Sequence, residues 1–204
     1  MKSNVCRIEN GTNDLAAILK ESEKVAAYNE LSHKQSLELR LLCEEIDGML
    51  PNIVGEFSGK IWIEFENGVC EVKASIELES FSPDKKAELI KTSTDKKNAA
   101  ATGIVGKIRS VLEDIFLDAN ALKAYSPLAE GLQIVTGCGE NVSYSYFWTL
   151  DQFKNDAKKD KEREDYDELE RSIISSVADN VTVGVKGKIA DIVIIKDFSR
   201  GDAV

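Results

Sequence analysis

A chain of 204 residues, 43% hydrophobic and 30% charged, can bury one good core and has the balance of a globular protein. Its formal net charge of -10 repels phosphate backbones, which excludes general nucleic-acid binding. No apolar run reaches membrane-spanning length and the opening MKSNVCRIENGTND has no apolar signal core, so neither membrane insertion nor export is expected and the cytoplasm is the default address.

After an irregular lead, DLAAILKESEKVAAYNEL places Leu15, Ile18, Leu19, Val25 and Ala26 at helical spacing and predicts a first helix over 14–31. A second helix is better marked. Ser32 followed by Gln35 is a capping-box pattern, and Leu39, Leu42, Ile46 and Met49 then recur every three or four residues until Pro51 and the turn near Gly55. KIWIEFE and VCEVKASIELE alternate apolar and polar residues on either side of Asn67-Gly68, a dipeptide that fits a two-residue hairpin turn. A short helix is expected from Pro83 to Thr92, then a loop of polar and small residues over 93–103, then a helix in GIVGKIRSVLEDIFL with Ile104, Ile108, Val111, Leu112 and Ile115 on one side.

GLQIVTG and NVSYSYFWTL read as two further strands turned through Cys138, Gly139 and Glu140; aromatic density of this kind suits a sheet. The mixed-charge stretch 151–172 reads as a solvated helix whose apolar residues gather only at Leu169, Ile173, Ile174 and Val177. NVTVGVKG and KIADIVIIKDF then predict a terminal hairpin. The order of elements implies an α+β fold, a two-layer sandwich of helices on a mixed, largely antiparallel sheet. Residues 1–150 make up the sandwich, and 151–204 a charged helix and β-hairpin extension that can pack on the same core.

Cys6, Cys43, Cys70 and Cys138 form no CxxC pair, and His33 is the only histidine, so zinc ribbons, redox motifs and HExxH chemistry are excluded. His33 sits in the first turn of the second helix and reads as an ordinary surface residue. Tyr144, Tyr146, Phe147 and Trp148 suit a core or a protein interface better than base stacking.

Three segments in order, LRLLCEEIDGML, IELESFSPDKKAELI and KNAAATGIVGKIR, resemble the nucleotide-binding core of the GHKL ATPase superfamily, which includes histidine kinases and anti-sigma-factor kinases. The resemblance covers residues 31–150 and implies adenine-nucleotide binding, ATP or ADP, with Glu45 in the place of the helix Glu that positions water or supports the metal. It also implies Glu77 or Glu79 at the adenine and Lys96, Lys97, Asn98, Gly103, Gly106 and Lys107 around the phosphates, where glycine-rich helix starts favour anions.

The motifs depart from the family at two points. Met49 stands where the family has a magnesium-ligating Asn, and a thioether is a poor ligand for a hard cation. Ser80 and Phe81 stand where the family has glycines. Both departures argue against hydrolysis or phosphoryl transfer, which depend on a held Mg²⁺. The residues also admit plainer readings: Glu44 and Glu45 as the polar flank of a core helix, Glu77 and Glu79 as solvent-facing strand residues, Gly103 and Gly106 as helix entry. Two functions follow, an adenine-nucleotide-binding regulator or a nucleotide-free interaction module of anti-sigma type, and either takes a protein partner.

Overall fold

Strands β2 (Phe57–Glu66) and β3 (Val69–Leu78) are ten residues each and pair antiparallel along their whole length, from Phe57 opposite Leu78 to Glu66 opposite Val69. Asn67 and Gly68 join them with φ of 51° and 84°, both left-handed, as a two-residue turn matched to strand twist requires. Gly68 has a second reason to be glycine, because a Cβ there would lie 2.5 Å from the Cβ of Ser199. This structure is a computed structural model that describes residues 1–9, 15–54, 57–78, 108–109, 112, 134–135, 141–142, 146–159, 173–186 and 188–199.

Around the hairpin the chain adds β1 (Cys6–Glu9), α1 (Leu15–Tyr28) and α2 (His33–Val54) before it. After it come β4 (Ile134–Val135), β5 (Asn141–Val142), β6 (Tyr146–Thr149), α3 (Leu150–Lys159), α4 (Ile173–Val177), β7 (Asn180–Lys186) and β8 (Ile189–Asp197). Among the described residues six strands form one sheet in the order β1-β2-β3-β8-β7-β6, every neighbouring pair antiparallel. The terminal hairpin therefore sits in the middle of the sheet: β8 pairs with β3 from Val69 opposite Asp197 to Glu77 opposite Ile189. β4 and β5 pair with each other antiparallel, the expected turn through Cys138, Gly139 and Glu140 lying outside the described residues, whereas the aromatic run joins the main sheet as β6, with Trp148 7% exposed.

Strand alternation divides this sheet into two chemically different faces. Ile61 and Ile63 of β2, Val72, Ala74 and Ile76 of β3, Ala190, Ile192 and Ile194 of β8 and Val181, Val183 and Val185 of β7 are all at most 1% exposed. Their register puts them on one face. Onto it pack Ile18 and Val25 of α1, the apolar stripe of α2 and Ile174 of α4. Ile108 and Leu112, helical and fully buried, join the same core, in agreement with the side chosen for them from the sequence. Burying each Ile or Leu contributes about 1.5–3 kcal/mol, so this face supplies most of the fold's apolar stabilisation. The result is the expected α+β sandwich.

At the start of α2, Ser32 N–H donates to Gln35 Oε1 at 3.0 Å and Gln35 N–H donates to Ser32 Oγ at 3.3 Å, a reciprocal capping box. The helix passes Pro51, which lacks an N–H for the i→i−4 bond, and ends at Val54. The lead before α1, irregular by its sequence pattern, forms β1. Only Ile8 of its four residues is buried, too short an alternation to register as a strand.

Residues 1–4 also run along β2, with Ser3 N–H donating to Ile63 O at 2.8 Å and Phe65 N–H to Met1 O at 2.7 Å. The pairing slips by one residue between Lys2 opposite Glu64 and Cys6 opposite Ile61. At that slip the buried Glu21 of α1 takes hydrogen bonds from the backbone and side-chain N–H groups of Asn4.

Candidate functional site

α2 turns about 100° per residue, so Leu39, Leu42, Cys43, Ile46, Met49 and Leu50 form one buried stripe. Glu44 and Glu45 stand at different angles to it. Glu44 points outward and accepts from Arg40 Nε at 3.0 Å; Arg40 Nη1 reaches Glu23 of α1 at 3.2 Å, so this side of α2 faces α1. Glu45 lies roughly 140° around the helix from Arg40, on the shoulder away from α1. It is half-buried, with no hydrogen-bond or ion-pair partner among the described residues. Burial first, and then the charge of Glu44, push its carboxyl above the usual range. A half-buried carboxylate without a counter-charge is what a ligand-facing acid looks like, although strained surface acids share the property.

Met49, one turn on, is 3% exposed and belongs to the apolar core. Its thioether is packed among hydrocarbon. Glu77 is exposed at the far end of β3, opposite Ser58 on β2 and Ile189 on β8. Since Ile76 is on the helix-covered face, strand alternation turns Glu77 to the other one. Glu45 and Glu77 are thus on opposite sides of the sheet and are not brought together. Glu79, Lys96, Lys97, Asn98, Gly103, Gly106 and Lys107 lie outside the described residues, as do the helix at 83–92 and the loop at 93–103. His33 is the exposed first residue of α2.

Cys43 and Cys70 are free thiols buried in the core. Burial pushes Cys70 up to about 12, and burial followed by the neighbouring Cys70, Cys6 and Glu44 pushes Cys43 higher still, so neither buried thiol supplies thiolate near neutral pH.

A group without a motif signature in the sequence lies on the face that the described helices leave open. Lys73, 8% exposed, reaches Glu64 and Glu71, each at 2.7 Å. Glu64 also accepts from Trp62 Nε1 at 2.8 Å and pairs with Lys2 at 3.0 Å, while the Lys2 ammonium lies 5.2 Å from the Trp62 ring centroid. Burial alone would raise the Glu64 carboxyl; the bonds from Lys73, Trp62 and Lys2 win and hold it at about 2. The two-residue turn carried the signal for most of this, since it fixes Trp62 opposite Lys73 and Glu64 opposite Glu71. Nothing local announced Lys2.

Among the described residues no three His, Cys, Asp or Glu side chains are placed to hold a metal ion, and no helix is long and apolar enough to cross a membrane. Between α1 and α2 runs a shallow groove of about 380 Å³ lined by Glu23, Ala26, Ala27, Glu30, Leu31 and Ser36. Comparison with models of protein families, with curated proteins and with solved structures gives no match.

Proposed function

We propose that the chain is a regulatory protein-interaction module in the cytoplasm, built on a GHKL-like sandwich that does not use a nucleotide. The observation that carries this reading is Met49. At the position where the resemblance calls for a magnesium-ligating oxygen, the side chain is 3% exposed and packed into the core, so it offers neither a hard donor nor space for a hydrated cation. The position of Glu77 across the sheet from Glu45 supports the same reading, because an acid that is to meet an adenine between helix and sheet must point toward the helices. The free thiols of Cys43 and Cys70 fit a reducing compartment.

The contact surface we assign is the outer side of the terminal hairpin, where Ile189 is 44% exposed and Thr182, Val193 and Ile195 are half-buried on the face that the described helices leave open. Thermal unfolding with Mg-ATP, ADP, or ATP plus chelator at millimolar concentration tests the nucleotide half of the proposal. No rise in midpoint is expected, whereas a ligand at 100 times its Kd would add about 2.7 kcal/mol. Crosslinking in extracts of the source cells tests the partner half. The wild type should capture a protein that Ile189→Asp loses; equal capture by both, or by neither, would remove the hairpin as the contact surface.

A second reading rests on Glu45. Its raised carboxyl, without a counter-charge among the described residues, fits an adenine nucleotide, ATP or ADP, seated on the α2 shoulder without magnesium held by Met49. A nucleotide-dependent midpoint indifferent to chelator, and altered in Glu45→Gln, would favour this reading over the first.

A further inference from the structure

We draw no further inference here: the strongest candidate, the shallow groove between α1 and α2 floored by Ala26, Ala27 and Leu31, is an exposed apolar surface with nothing in the structure to show what covers it.

Discussion

Strands β2 and β3 present hydrocarbon to one side and a charge network to the other. Toward the helices stand Ile61, Ile63, Val72, Ala74 and Ile76; away from them stand Trp62, Glu64, Glu71 and Lys73. The first set stabilises by area removed from water, a contribution indifferent to direction. The second depends on distance and angle, because burying Glu64 and Lys73 costs free energy that their bond to each other and their bonds to Glu71, Trp62 and Lys2 offset. One backbone register serves both, so a slip of one residue would exchange the faces and bury the charges.

The largest expected effect comes from the covered face. Ile192→Ala, in the strand next to β3, removes a side chain with no exposed area and leaves a cavity between sheet and helices. We expect a loss of about 2–5 kcal/mol in denaturant unfolding with an unchanged slope. A loss below 1 kcal/mol would mean that β8 does not hold the central place described for it.

Next is Lys73→Met, which keeps the stem and deletes the ammonium. Glu71 loses its ion pair, and Glu64 keeps only Lys2 and Trp62. A loss of about 1–3 kcal/mol is expected, the range for hydrogen bonds to charged groups. If Lys73→Met is neutral, the face away from the described helices is set by packing of the Lys73 stem and Trp62, and the contrast between the faces disappears.

Acid separates the faces without mutation. Glu64 is held at about 2 in the folded state, below its ordinary value of 4.5, so its contribution is fully present above that ordinary value and is lost as pH falls toward 2. Glu21, lowered first by Lys24 and further by Asn4 against the effect of burial, acts in the same direction. The wild type should therefore lose more stability than Glu64→Gln between about pH 4.5 and 2, and the two curves should converge at the acid end. Parallel curves would show that the network does not discriminate the ionised form.

Much of the covered face was legible in the sequence because periodicity reports burial. Leu39, Leu42, Ile46 and Met49 mark the α2 stripe, Ile61 and Ile63 the inner side of β2, and Asn67-Gly68 the turn that fixes the register. The place of the terminal hairpin in the sheet was not legible, since strand alternation shows which residues face the core but carries no information about which strand pairs with which. β1 escaped because one buried residue in four makes no pattern.

The candidate site was legible only in part. Local spacing can place Glu45 at the edge of the stripe, but that Glu77 faces the opposite side follows from parity relative to Ile76, which has to be carried through the hairpin to the helix layer. Lys2 met Glu64 across 62 residues of sequence, with a register slip between, and no local rule reaches that far.

The smallest expected effect falls on α2, where two adjacent carboxylates repeat the contrast in miniature. Glu44 has Arg40 as its partner, and Glu44→Gln removes an exposed pair one helical turn long, worth about 0.3–0.5 kcal/mol. Glu45 has the opposite sign. Burial and Glu44 raise its carboxyl in the folded state, so the ionised form is penalised by folding at neutral pH, and the penalty fades as pH falls through the raised value. Glu45→Gln should therefore stabilise the protein at pH 7 by about half a kcal/mol, the scale of an ordinary surface change, and give no gain below pH 4. Opposite signs for the two neighbours, measured by denaturant midpoint at both pH values, would identify Glu45 as an acid held against its own preference. A destabilising Glu45→Gln would instead reveal a hydrogen bond that favours the charged form, and the shoulder of α2 would then be structural.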